Sequence, residues 1–325
     1  MRRKRDRLVP IGEVLSGLGG PVKDLRDATP QSLHHFTRFN QVDQLVEARE
    51  ADPDTGFMVR LMALCSLPRT DPGNRHHYKR VNGPYKLVMI AGADNKLPYG
   101  NIPRLLLAWV CTEAVRTQSR VLVLGKSLYE FMGKLGLTPG AGVTGARTRL
   151  RNQMKRLLGC TVSLIYENEG VETRVSSYVA DRTALWWNSK RPDEPMLWES
   201  KIELGEKFFN EIISHPVPID INILKAMKRS SLGLDLYLWL TYRTFPLRAP
   251  KHLSWRQLYH QFGTDPTKAN NKNIVNDFRK DSLRELKKIK EAWPDLNYST
   301  AKGKLILSPS TPAIVPTTES LRLVE

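Results

Sequence analysis

The sequence predicts an α+β fold, mainly α with small β-hairpins, built as tandem winged-helix domains. Three observations carry that expectation. A helix, strand, helix, turn, helix, hairpin order runs from Ile102 to Val179, and the same order returns between Asp220 and Leu307. Ser127-Leu128-Tyr129-Glu130-Phe131-Met132-Gly133-Lys134-Leu135-Gly136 also aligns with Ser254-Trp255-Arg256-Gln257-Leu258-Tyr259-His260-Gln261-Phe262-Gly263, pairing Ser with Ser and Gly with Gly at one offset. The 325 residues suffice for two such domains with extensions.

Residues 1–80 carry charge runs and the breaker stretches Asp52-Pro53-Asp54-Thr55-Gly56 and Thr70-Asp71-Pro72-Gly73-Asn74. Only Gln41–Glu50 and Phe57–Leu67 read as helices there, so the segment is expected to be a partly ordered extension. A packed domain, 81–214, follows. Leu87-Val88-Met89-Ile90 reads as a strand, and Ile102–Thr117 is a helix entered through Pro103, a residue suited to an early helical position. Val121–Leu124 is a short strand. Ser127 is an N-cap with Glu130 three residues on, for a helix ending before Gly136. After the turn Thr138-Pro139-Gly140-Ala141-Gly142, a helix runs from Thr144 to Leu158, and Cys160–Tyr166 with Val171–Val179 form a hairpin.

The seam is placed at His215-Pro216-Val217-Pro218, because proline breaks helix and ladder alike. A second domain, 215–316, then has helices at Asp220–Met227, Leu232–Phe245 and Ser254–Phe262. A long helix from Asn271 to Trp293 stops at Pro294, and a hairpin turns at Lys302-Gly303. Residues 317–325 are a tail.

The net charge of +17 points to a polyanionic partner, nucleic acid before anionic membrane. The longest apolar run, Leu105–Cys111, is far shorter than a membrane span needs. The basic start Met1-Arg2-Arg3-Lys4-Arg5-Asp6-Arg7 is not followed by a signal-peptide hydrophobic region. Cys65, Cys111 and Cys160 are odd in number and widely spaced, which argues against disulfides and a CxxC zinc site. A cytoplasmic protein without membrane attachment is expected.

The candidate DNA-binding residues lie on the third helix of each repeat. In the first, Ala146, Leu150, Met154 and Leu157 form a core stripe, and Arg147, Arg149, Arg151, Lys155 and Arg156 are cationic with no acid between Thr144 and Leu158. In the second, Phe278, Leu286, Ile289 and Trp293 face the core, leaving Lys272, Asn276, Arg279 and Lys280 outward on its first half. Asn and Arg pair bidentately with adenine and guanine edges, and recognition helices read bases through their N-terminal residues. Base readout is therefore placed on the second helix, with phosphate anchoring on the first. The later half of the second helix mixes Arg284, Lys287, Lys288 and Lys290 with Asp281, Glu285 and Glu291, a pattern that suits either contact with phosphate or pairing along a surface helix.

The hairpins differ. Lys302 and Lys304 suit a phosphate backbone, whereas Glu167, Glu169 and Glu172 in the first hairpin would be repelled there, so that hairpin is expected to point elsewhere. Gly125-Lys126-Ser127 has Arg120 where a phosphate-binding loop needs its first Gly. The pairs His34-His35 and His76-His77 lack the wider cluster of a metal-dependent nickase. Trp186, Trp187 and Trp198 read as core or seam residues rather than base-stacking ones. No catalytic residue, metal or cofactor is expected.

Several segments resemble one known family. Lys96-Leu97-Pro98-Tyr99-Gly100, Ile102-Pro103-Arg104-Leu105-Leu106-Leu107-Ala108-Trp109, Thr112-Glu113-Ala114-Val115-Arg116, Leu232-Gly233-Leu234-Asp235-Leu236-Tyr237-Leu238-Trp239-Leu240-Thr241-Tyr242-Arg243, Gln261-Phe262-Gly263 and Leu307-Ser308-Pro309-Ser310 are similar to the plasmid-encoded replication initiator (RepA) family. The resemblance spans about Tyr85 to Pro316. It implies a bacterial plasmid protein with tandem winged helices that binds iterons in double-stranded origin DNA, helps open the duplex, and recruits a host replication initiator and the replicative helicase. It also implies homodimers that repress their own promoter. Two recognition helices would dock in successive major grooves roughly 34 Å apart. A transcriptional repressor alone, or an origin-nicking enzyme, are the rival readings.

Overall fold

Ser66 to Asn82 folds back onto the second half of the chain, and this back-folding defines the architecture. The computed structural model describes residues 43–92, 94–138, 145–168, 171–187, 194 and 199–314. The expectations placed on the basic N-terminus, His34, His35, all but Thr138 of the turn Thr138–Gly142, the helix start at Thr144, Glu169, Trp198 and the tail lie outside them.

A helix over 43–50, α1, buries Leu45 and Ala48. Strand β1 (Thr55–Val59) then leads into the short helix α2 (Arg60–Leu64). Where the sequence suggested one helix over Phe57–Leu67, its first part is therefore extended. Phe57, Met58, Val59, Leu61, Met62, Leu64, Cys65 and Leu67 are all core residues. This corrects the expected partly ordered extension: from Leu45 onward the chain packs as one compact unit.

Strand β2 (His77–Asn82) pairs with β3 (Tyr85–Ile90). Helix α3 (Asn101–Thr117) is buried along nearly its whole length, including Arg104. Strand β4 (Val121–Gly125) precedes α4 (Leu128–Lys134), capped by Ser127 Oγ accepting from Glu130 N–H at 3.1 Å. The Glu130 carboxylate accepts from Lys126 N–H, which holds its pKa below the ordinary value. That amide, which a phosphate-binding loop would need free, is occupied. Helix α5 (Ala146–Leu158) follows, then β5 (Thr161–Asn168), β6 (Val171–Tyr178) and β7 (Ala180–Ala184).

The remaining elements are β8 (Ser200–Leu204), α6 (Glu206–Ser214), β9 (Pro216–Asp220), α7 (Ile221–Ala226), α8 (Ser231–Thr244), β10 (Lys251–Ser254), α9 (Trp255–Phe262), α10 (Lys272–Ala292), β11 (Tyr298–Ala301) and β12 (Lys304–Leu307). Ser254 forms a full capping box with Gln257, and Asn271 caps α10.

The expected seam at His215–Pro218 is instead strand β9, antiparallel to β1, with Pro218 opposite Phe57 and Pro216 opposite Val59. The prolines fit for a definite reason. Phe57 N–H turns away to Thr112 Oγ1 at 2.9 Å, so Phe57 and Pro218 form a position of the ladder where no hydrogen bond is exchanged.

Sheet orders give the repeat its topology. One sheet runs β4-β8-β7 and another β10-β12-β11, so in both the strand before the short helix pairs with the far strand of a hairpin. The hairpin of the first repeat is thus β7–β8. The acidic β5–β6 hairpin belongs to a separate sheet, β2-β3-β5-β6, and the chain crosses from one sheet to the other at Val179.

One core joins these parts. In the first repeat Trp109 meets Phe131 edge-on and Phe131 stacks on Trp187, and in the second Tyr259 meets Phe278 edge-on. Trp187 is partly buried and packs against the core, whereas Trp186 is half exposed. Burial holds the thiols of Cys65, Cys111 and Cys160 protonated, with pKa values pushed up to about 12.

Candidate nucleic-acid interface

On α5, Leu150, Met154, Leu157 and Leu158 are buried and Ala146 packs against them, the stripe the spacing predicted. The five cations are not equivalent. Arg149 and Arg151 are exposed on opposite flanks of the outer surface. Lys155 is exposed and pairs with Asp94 at 3.3 Å. Arg147 lies over the Tyr129 ring, 5.8 Å from its centroid, and Arg156 lies over Tyr99 at 5.3 Å. Arg156 is half-buried, with Nη1 enclosed and unpartnered, so it braces the helix against the Tyr99 loop. At 100° per residue, Asn152 falls opposite Leu150 and Met154 at the centre of the outer face, where it is exposed. Sequence reasoning weighed charge alone and passed over this amide.

On α10, Phe278, Ser282, Glu285, Leu286 and Ile289 face inward. Lys272, Asn276 and Lys280 are exposed as expected. Arg279 is not: it sits on the flank near Phe278, half-buried with Nε enclosed. This corrects its placement on the outward side. Asn273 and Asp277 share the outer face of the first half, and Asp277 binds Lys280 at 3.3 Å. The same helix wheel would have shown both. Further along, Arg284–Asp281 at 2.6 Å and Lys288–Glu285 at 3.2 Å are pairs along the helix, the second of the two patterns its composition allowed.

Lys302 and Lys304 flank the turn between β11 and β12, both exposed. Gly303 takes φ +75°, which a side chain disfavours, and its carbonyl accepts from Trp255 N–H at 3.3 Å. The cationic turn is thereby fastened to the start of α9. In the β5–β6 hairpin Glu167 instead pairs with Lys86, and Glu172 with Arg174 at 2.8 Å.

The two repeats meet at buried charges. Arg104 of α3 makes a two-point pair with Asp235 of α8, at 2.6 and 2.7 Å, and donates to Leu67 and Pro68 carbonyls. Arg80 of β2 donates to His260 and Gly263 carbonyls, Arg69 to Phe262, and Ser66 Oγ to Gln261. Four successive carbonyls at the end of α9, just before the loop into α10, are thus held by side chains from residues 66–80.

Among the described residues no group of three His, Cys, Asp or Glu could hold a metal, and no helix is long and apolar enough to cross a membrane. Residues 97–257 match the family model for plasmid encoded RepA protein, in keeping with the resemblance seen in the sequence. The segments at Gln261–Gly263 and Leu307–Ser310 fall beyond the matched range. No curated protein matches the chain. Two crystal structures are similar at low identity. One, of RctB domains 2-3, has 15% identity and a TM-score of 0.47, covering 75% of this chain and 95% of that one. The other, a SeMet derivative of domain2 and domain 3 of RctB, has 16% identity and a TM-score of 0.48, covering 83% and 99%.

Proposed function

We propose, from the match of residues 97–257 to the plasmid-encoded RepA family, that this chain is a cytoplasmic plasmid replication initiator that binds iterons in double-stranded origin DNA. Two winged helices, within 81–214 and 215–316, dock in successive major grooves; the protein promotes origin opening and recruits the host initiator and replicative helicase. It also represses its own gene. The observation that carries this reading is the paired topology: β4-α4-α5 with β7–β8, and β10-α9-α10 with β11–β12, each presenting its third helix with an outward cationic and amide face. The hairpin with Lys302 and Lys304 follows the phosphate backbone beside α10.

Roles divide by side-chain chemistry. Arg149, Arg151 and Lys155 hold phosphates. Asn276 reads a base edge, with Lys272 and Lys280 on the flanking phosphates, and Arg147, Arg156 and Arg279 act from the flanks. Binding to a panel of sites with single base changes tests this. Asn276→Ala is expected to relax preference at one base position, by about 1–3 kcal/mol, whereas Lys155→Ala weakens all sequences alike and lowers the salt slope by about one. Unchanged discrimination in Asn276→Ala would move base readout elsewhere.

A further inference from the structure

The turn that joins α7 to α8, Met227 to Ser230, is fastened to both repeats. Lys228 Nζ donates to the Gly136 carbonyl at 2.8 Å, just past the end of α4, and the Lys228 carbonyl accepts from Asn101 Nδ2, at the start of α3, at 2.6 Å. Tyr99, two residues before Asn101, donates its N–H to Gln153 Oε1 of α5 at 2.9 Å and carries Arg156 over its ring. On the other side Gly233, in the first turn of α8, lies so close to α10 that a Cβ there would meet Glu285 Oε2 at 2.8 Å. The turn thus touches the supports of both candidate recognition helices.

Its charge is one-sided. Between Asp220 and Asp235 the chain carries Lys225, Lys228 and Arg229 and no acid. Arg229 is exposed, and Lys225 and Lys228 are half-buried. Burial lowers the pKa of Lys228, and the charges of Arg229 and Lys225 lower it further, with no carboxylate among the described residues to offset them. Elsewhere the cations of the two repeats stand beside acids, Lys155 with Asp94, Lys280 with Asp277, Arg284 with Asp281 and Lys288 with Glu285. Like charges crowded into a half-buried turn destabilise the fold, and an anion seated among them removes that penalty.

We propose that this turn holds a backbone phosphate of the duplex between the groove entered by α5 and the groove entered by α10, with Arg229 making the contact and Lys228 adding its charge. The inference rests on the DNA-binding reading and deepens it. Two helices in successive major grooves on one face leave a minor groove between them, and its rims present phosphates to a protein that does not enter it. An exposed guanidinium suits such a phosphate through its two-pronged donor geometry. Lys228 keeps one ammonium hydrogen on Gly136 and has others to give. A contact of this kind carries no sequence information, so it separates cleanly from the base readout assigned to Asn276.

The test is binding of the full chain to duplexes carrying its origin repeat, with ethylation interference, in which each backbone phosphate is blocked in turn. Wild type is expected to be sensitive at phosphates beside both major-groove contacts and at phosphates between them. Arg229→Gln is expected to lose only the sensitivity between the grooves, to bind roughly tenfold more weakly, and to show a salt slope lower by about one. Its ranking of sites with single base changes stays that of wild type. Arg229→Lys, which keeps the charge, keeps the salt slope. The urea midpoint of Arg229→Gln is expected to equal the wild-type one or lie above it, because a crowded cation has gone. Wild-type interference and slope in Arg229→Gln, or a clear fall in its urea midpoint, would overturn the proposal. A wild-type chain that binds no origin repeat would instead overturn the DNA-binding reading, and this inference with it.

Discussion

Arg104 and Asp235 are both almost fully enclosed, 1% and 2% exposed, in the middle of the core. An ion pair there survives because its geometry is two-pronged and the spare guanidinium hydrogens go to Leu67, Pro68 and Gly100 carbonyls. Removing one partner leaves the other charged and buried. Asp235→Ala is therefore expected to lose about 3–5 kcal/mol in urea unfolding, and the double replacement Arg104→Met, Asp235→Leu to recover part of that loss. A single replacement costing under 1 kcal/mol would mean that water reaches the pair. At this scale the sequence was legible in its charges and not in their directions. The cationic character of α5 was plain from composition, yet Arg156 and Arg279 lie half-buried on the flanks because an aromatic ring or a core flank lies within reach of a long side chain, and no spacing rule contains that neighbour.

Elements were legible where their stops and starts are chemical. Ser127, Ser254 and Asn271 each accept from the amides of the following turn, as their spacing implied. Ser254→Ala removes the hydroxyl half of a capping box, while the backbone N–H of residue 254 can still donate to Gln257 Oε1, and is expected to cost about 1 kcal/mol, seen as a lower denaturation midpoint with unchanged slope. A cost near zero would show that the Gly303 carbonyl and the Gln257 half of the box suffice to secure the start of α9. Strand partners were less legible. Nothing local marks β7–β8 as the hairpin that corresponds to β11–β12, because β4 and β8 lie some 75 residues apart and only tertiary pairing identifies them. The prolines of β9 misled for a related reason: their tolerance depends on Phe57 sending its N–H to Thr112, a contact spanning 55 residues.

At the scale of the molecule, the segment from Ser66 to Asn82 ties the two repeats together. Its Arg80 is 0% exposed and holds the His260 and Gly263 carbonyls at 3.0 and 2.8 Å. With Arg69 and Ser66 it fixes the end of α9 and so the approach to α10. Arg80→Met strands both carbonyls and is expected to destabilise by about 2–5 kcal/mol, measured by urea unfolding; a neutral effect would place the tie elsewhere. This junction was invisible in sequence because a charge run flanked by Pro and Gly reads as a solvated extension until its partners are known.

The measurement that bears most directly on the central claim is footprinting on the origin DNA of the chain's own replicon, across a salt series and with a supercoiled-DNA cleavage control. Protection of regularly spaced repeats is expected, over two successive major grooves on one face of the duplex, weakening steeply with salt and without strand cleavage. Protection confined to a single promoter palindrome, or a metal-dependent nick in the origin, would contradict it.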